Sequence, residues 1–465
     1  MTSSLKSIPS SFRDPSGFLF THDSRIYRQI NTLYRPHWDH FHQSGLYDTL
    51  TARGLLIPHQ QADFDLALTA QACCVIEPER IGFVSYPYEW AFSQLKDAAL
   101  TTLKIQKVAF EHGMTLKDAS AFNVQFHNGK PVFIDTLSFE IYKPGRPWVA
   151  YRQFCQHFLA PLALMSHCDI RLRRLLRTNI DGVPLDLASR LLPSRTWLNP
   201  GLLMHIHLHA KSQQRYADAS LKPAKQQTIS RLGFLGLIDS LTTAVRKLSW
   251  RPAGTVWGDY YNQTNYSDQA MEAKKHIVSD FLKRIGPTTT WDIGANTGVF
   301  SRLAAEAGSQ VVSLDIDAAA VEQNYRWVKQ NKTQNILPLL LDICNPSPAL
   351  GWAHEERLSL RQRGPADVVL ALALIHHLAL SNNLPLGRIA RFLATLSPWL
   401  IIEFVPKEDT QAQRLLASRY DIFPNYTQQR FEEAFGARYR ILERVTVPDT
   451  LRTVYLMQRN ESKTS

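Results

Sequence analysis

The chain has 465 residues, enough for two or three domains that each bury a core, and its 45% apolar share is ordinary for a globular protein. The formal charge of +11 is uneven: residues 1–250 carry 28 Lys and Arg against 19 Asp and Glu, and residues 251–465 carry 24 against 22. No stretch approaches about 18 uninterrupted apolar residues, which argues against a membrane-spanning helix. Five cysteines without C-x-x-C spacing indicate neither a disulfide framework nor a zinc site. The first residues lack the apolar core of a signal peptide, so a cytoplasmic, reducing setting is expected.

Residues 1–210 are expected to form an α+β domain. Residues 82–88, Gly-Phe-Val-Ser-Tyr-Pro-Tyr, read as a strand and hinge, and residues 90–112 as a long helix. A loop follows with Asp118 and Asn123 five apart. Short strands at 124–126 and 132–134 flank Asn128-Gly129, a strong hairpin signal, and Asp135 ends the second strand. This run is similar to the catalytic loop and metal-binding acid of protein kinases and small-molecule phosphotransferases. The resemblance implies Asp118 as the base, and Asn123 and Asp135 as magnesium ligands for Mg-ATP. The chain departs from that family at Leu116, where histidine is usual. Residues 1–80 hold no Gly-rich phosphate loop, and Arg25 or Arg28 stands in for the strand lysine. The other reading is an α/β helper domain in which Asp118 caps a turn and Asn123 starts a strand.

The positive charge is densest at Arg171, Arg173, Arg174 and Arg177 and between Lys211 and Lys225. Such runs are more often solvated faces than nucleic-acid sites, so nucleic acid is not expected and an anionic partner for the basic half stays open. Residues 211–255 read as a linker and an amphipathic helix. Residues 211–229 are polar, and 232–248 have helical periodicity, suiting a covering helix or a membrane-surface helix. Another helix is expected from 268 to about 285.

Residues 290–301, Thr-Trp-Asp-Ile-Gly-Ala-Asn-Thr-Gly-Val-Phe-Ser, run from a strand through Asp292, Gly294, Asn296 and Gly298 into a helix. Gly294 allows a tight turn and Gly298 lets the helix begin close to a ligand. The spacing is D-x-G-x-N-x-G, not G-x-G-x-x-G, so the loop suits an amino-acid tail better than a pyrophosphate. A second strand, 310–317, ends in Asp315 and Asp317, where a carboxylate accepts ribose hydroxyls. A third, 336–342, ends in Asp342, where an adenine amine could donate. A fourth, 366–378, ends in His376 and His377, and a fifth, 399–405, carries Glu403. Helices at 300–307, 318–330 and 386–396 alternate with them, as in a doubly wound α/β sheet. Residues 439–447 and 453–458 suit an antiparallel edge pair.

This order of acids and glycines resembles the class I S-adenosylmethionine-dependent methyltransferase family over residues 256–465. The whole chain resembles bacterial methyltransferases of the nodulation type. The resemblance implies a Rossmann-like seven-stranded sheet and S-adenosyl-L-methionine as cofactor. Asp292, Gly294, Asn296 and Gly298 would shape the loop around its tail, Asp315 or Asp317 would hold the ribose, and Asp342 the adenine edge. His376, with His377 second, or else Glu403, would be the general base. In this family the segment before the first strand often covers the ligand. Four aromatics at 257–266 suit such a lid, with Tyr260 and Tyr261 as candidates, or ordinary packing. No [DN]-P-P-[FYW] follows the fourth strand and no Pro-Cys lies there, which disfavours base-amine, glutamine-amide and thiolate-driven C5 methylation; Cys344 reads as structural. What remains is a hydroxyl, amine or activated carbon of a small molecule, saccharide or protein. The alternatives are a bifunctional methyltransferase and phosphotransferase, or a scaffold with a vestigial cofactor site.

Overall fold

The computed structural model describes residues 5–211, 228–252, 267–417 and 422–460. Tyr260, Tyr261 and most of the 211–229 linker lie outside the described residues. The chain divides into two units. One takes Met1–Arg251 with Gly351–Arg357, and the other takes Pro252–Leu350 with Leu358–Ser465.

The amino-terminal unit begins with an antiparallel sheet of β1 (Lys6–Ser7), β2 (Gly17–His22), β3 (Arg25–Asn31), β4 (His59–Gln61) and β5 (Ala72–Pro78), in the order β1-β2-β3-β5-β4. Helices Arg35–Gln43 and Leu46–Ala52 lie between β3 and β4. The long helix Phe92–Glu111 follows; the Gln94 side chain accepts the Ala91 N–H at 2.8 Å and satisfies one free donor of its first turn. Next, β6 (Met114–Leu116) pairs with β9 (Phe139–Ile141), enclosing the hairpin of β7 (Val124–His127) and β8 (Lys130–Phe133). Asn128 and Gly129 both take positive φ, as a two-residue hairpin turn of this hand requires. The helix Arg231–Lys247, expected beside a linker, belongs instead to this unit. It buries Phe234, Ile238, Leu241 and Val245, and Phe234 stacks on Phe110 with ring centroids 4.2 Å apart. Lys96 Nζ donates to the carbonyls of Arg246 and Leu248 near its end. Its apolar face is thus covered by protein.

The carboxyl-terminal unit is the expected doubly wound sheet. Its strands are β10 (Thr289–Ile293), β11 (Gln310–Asp315), β12 (Ile336–Leu340), β13 (Val368–Ala371), β14 (Trp399–Phe404), β15 (Tyr439–Thr446) and β16 (Thr453–Arg459). Their order is β12-β11-β10-β13-β14-β16-β15; β10 to β14 run parallel and the last two antiparallel. Seven strands in one sheet, five parallel and two antiparallel at the edge, match the expected architecture. The four residues of β13, Val-Val-Leu-Ala, are all buried, as a parallel strand covered on both faces demands. Helix Asp268–Ile285 contributes Val278, Phe281 and Leu282 to a core shared with Phe300, Val311, Leu370, Ile401 and Leu456. The order reverses at β10, which has β11 on one side and β13 on the other, and that opens a crevice at the carboxyl ends of the strands. Among the described residues no helix is long and apolar enough to cross a membrane.

Gly298 starts the helix Val299–Glu306 at φ +82, and a Cβ there would lie 2.5 Å from the Asn324 side chain. That side chain is held by a hydrogen bond to Ser313 Oγ at 2.8 Å and cannot yield freely. Gly298→Ala is therefore expected to lower unfolding stability by about 1–3 kcal/mol, read from urea titration; an unchanged midpoint would contradict this account of the turn.

Candidate active site

A cavity of about 330 Å³ opens at this crevice, a size suited to a small ligand. Asp292, Gly294, Asn296, Asp315 and Asp342 all line it. The loop after β10 turns through positive φ at Gly294 (+80) and Asn296 (+51). It is fastened to β11 by the Gly294 and Ala295 N–H groups, which donate to the Leu314 carbonyl at 2.8 and 3.0 Å. The Asn296 and Asp317 N–H groups donate to opposite oxygens of Asp315, at 2.7 and 2.8 Å. Asp292 accepts from Ser301 Oγ at 2.6 Å. Burial pushes the carboxyls of Asp292 and Asp315 up to about 6 against these hydrogen bonds. Asp342 accepts the Cys344 N–H at 2.9 Å.

Two of the expected ligand-binding positions serve the scaffold instead. Gly298 packs against Asn324 and is not in the lining. Asp317 caps the helix Ala318–Gln330, accepting the N–H groups of Ala319 and Ala320 at 2.7 and 3.3 Å, and does not line the cavity. Cys344, read as structural, is exposed and lines the cavity.

The two histidines change order. After β13 the chain passes Ala373 at φ +49, an uncommon value for a residue with a Cβ, and enters a π-helical turn, His377–Ser381. His377 and Ser381 line the cavity. His376 is fully buried behind, and its two ring nitrogens have no hydrogen-bond partner among the described residues. One step along a helix rotates a side chain by about 100°, so one ring enters the cavity and the other the core. The ring centroids are 4.1 Å apart. Burial lowers His377 to about 4, leaving it neutral near pH 7.

Glu403 is fully buried and outside the lining. Its carboxylate accepts from Lys274 Nζ at 2.7 Å and from the Ala373 N–H at 2.6 Å, with Arg452 Nη1 at 4.0 Å. Arg452 in turn binds Asp409 through two nitrogens, at 2.8 and 3.0 Å. A carboxylate so committed is a structural partner and not an exposed base. Lys274 itself lines the cavity, and sequence reasoning missed it. The signal was present: Ala270, Lys274 and Val278 recur at four-residue spacing on the buried face of one helix.

In the amino-terminal unit, the loops around β7 and β8 bring Asp118, Asn123 and Asp135 together. Asp118 accepts from the Ser120 N–H at 2.9 Å and Gln153 Nε2 at 2.8 Å, and burial raises its carboxyl. Asn123 Nδ2 donates to Ser138 Oγ at 3.1 Å. Asp135 is paired with Arg28 and accepts from Ser138 Oγ and the Leu137 N–H. Burial pushes the Asp135 carboxyl up, but Arg28 and Ser138 outweigh it and hold it below the usual range. A magnesium ion at Asp135 would share the carboxylate with the Arg28 guanidinium. Among the described residues no group of three or more His, Cys, Asp or Glu could hold a metal ion.

No protein-family model matches the chain. It is 35% identical over 462 residues to the nodulation protein NoeA of Rhizobium meliloti (strain 1021), covering 98% of this chain and 96% of that protein. Among solved structures it is similar to magnesium protoporphyrin IX methyltransferase (ChlM) from Synechocystis PCC 6803, with 17% identity, TM-score 0.31, and coverage of 44% of this chain and 93% of that one. N-methyltransferase NodS from Bradyrhizobium japonicum WM9 aligns at 11% identity and TM-score 0.30, over 42% and 99%. The bifunctional kinase-methyltransferase WbdD aligns at 18% and TM-score 0.29, over 44% of this chain and less than half, 43%, of its own.

Removing one member of a buried ion pair strands the other. Glu403→Leu is expected to cost about 3–5 kcal/mol of stability, measured by chemical unfolding. A variant of wild-type stability would contradict the buried-pair role.

Proposed function

The chain belongs to the family of the nodulation protein NoeA, and we propose that its carboxyl-terminal unit is an S-adenosylmethionine-dependent methyltransferase. The acceptor class is a hydroxyl, amine or activated carbon of a small molecule, saccharide or protein. The observation that carries this reading is the row of carboxylates facing one cavity, Asp292, Asp315 and Asp342, from three neighbouring strands. Ribose hydroxyls, an adenine amine and an ammonium group are all donors, and buried carboxylates are their natural acceptors. A dinucleotide would bring a pyrophosphate, which three acids repel. The residues fit the cofactor, whose sulfonium supplies an already activated methyl group. Leu372, Leu374, Leu378 and Leu415 give the cavity an apolar stretch of wall. His377, neutral and at the cavity surface, is the group to take a proton from the acceptor. The cysteines, all free, suit a reducing cytoplasm.

Calorimetric titration of S-adenosylmethionine into the full chain tests this, with micromolar binding expected. Gly294→Val is expected to abolish it, because φ is +80 and a Cβ already meets Leu374 at 3.3 Å. Asp315→Ala is expected to weaken it by about 1–3 kcal/mol through lost hydrogen bonds to a charged group. Unchanged affinity in both variants would sink the assignment. The pH dependence has a definite sign. With folded values near 6, above the unfolded carboxyl range, protonation of Asp292 and Asp315 favours the ligand-free fold as pH falls. Donors on the ligand favour the ionised forms, so affinity is expected to fall as pH drops through 6.

We further infer that the amino-terminal unit is a kinase-like scaffold. Its five antiparallel strands with two helices between β3 and β4, its long helix and its hairpin beside Asp118, Asn123 and Asp135 support this. The pairing of Asp135 with Arg28 weighs against phosphate transfer. Titration of magnesium-ATP into the full chain is expected to give no binding. Magnesium-dependent binding that is lost in Asp135→Ala would reinstate the bifunctional reading.

A further inference from the structure

The charges lining the cavity are segregated along the sheet edge. Asp342 follows β12, Asp315 ends β11 and Asp292 lies in β10, so the acids run from the edge of the sheet to its middle. The one Lys or Arg among the described lining residues is Lys274, from helix Asp268–Ile285. Its Nζ is bound to Glu403 on β14, two strands beyond β10 on the other side. The side chain is 3% exposed, and Nζ sits 5.0 Å over the Phe300 ring, itself in the lining.

We infer that Lys274 is the counter-charge for the α-carboxylate of the cofactor's amino-acid tail, and that Glu403 is the positioning residue that holds it there. This rests on the methyltransferase reading. The tail's carboxylate is the one anionic group such a cofactor has; its other charged groups are cationic. In a cavity with three acids, a carboxylate without a cation would be both desolvated and repelled. Asp292, beside the glycine turn, is placed to meet the tail's ammonium, and it is the cavity acid whose charge acts on Lys274. An ammonium has three donors directed apart, so one can serve Glu403 while another serves a ligand. Glu403 also takes the Ala373 N–H, which ties the position of Lys274 to the loop that carries His377.

The test compares ligands with and without the carboxylate, by calorimetry on the full chain. The probes are S-adenosylhomocysteine, its α-carboxyl methyl ester and 5′-methylthioadenosine, which lacks the tail. Wild type is expected to bind the free acid about tenfold or more tighter than the ester. Lys274→Met could leave Glu403 unpaired and unfold the protein, so it is also made together with Glu403→Gln, removing both charges at once. The double variant is expected to lose that preference for the acid while binding 5′-methylthioadenosine within about threefold of wild type. Wild type that binds acid and ester alike would overturn the inference and leave the methyltransferase reading standing. So would a variant that weakens all three ligands equally, since that is the behaviour of a structural pair. Wild type that binds none of the three would overturn the reading beneath, and the inference with it.

Discussion

The carboxylate of Glu403 is the point to which the walls of the cavity are tied. It holds Lys274 from the helix before the sheet and the Ala373 N–H from the loop after β13. It also faces Arg452, whose two hydrogen bonds to Asp409 anchor the start of the helix carrying Leu415. Taking four charges out of water is costly, and the arrangement is tolerable because each charge has an opposite one beside it. Three separate wall segments are thereby referred to one strand of the sheet.

Above this paired layer the chemistry is of another kind. Among the described residues Asp292 and Asp315 have hydrogen bonds but no ion pair like that of Glu403, and burial raises both carboxyls. Asn296 and Ala373 hold backbone conformations uncommon for residues with a Cβ, on either side of the same cavity. Local cost of this sort collects where a site must be ready before its ligand arrives. A ligand that donates to the acids returns part of that cost as affinity.

The amino-terminal unit shows the contrast. Its loops also gather two acids and an amide, yet Asp135 has Arg28 as its partner and Asp118 has Gln153 and a turn amide. An acid with a cation already against it is held low and stable, whereas an acid pushed up in a cavity has unused affinity for donors. By that criterion Asp135 is satisfied by its ion pair, whereas Asp118, like Asp292 and Asp315, is pushed up by burial.

The sequence alone determined whatever depends on near neighbours in the chain. Alternating apolar runs and helical periods marked the seven strands and their crossovers, Asn128-Gly129 marked a hairpin, and D-x-G-x-N-x-G marked the turn that lines the cavity. The tertiary structure decided which of two adjacent histidines faces the cavity, that Asp317 caps a helix, and that Glu403 lies outside the lining against Lys274. It also revealed Lys274, which meets Glu403 across 129 residues of chain. Local pattern specifies the turn and face of each element, because backbone sterics and hydrophobic period act over a few residues. The pairing of charges is settled only when distant elements pack, because whether a buried ionisable group has a partner depends on what the fold sets beside it.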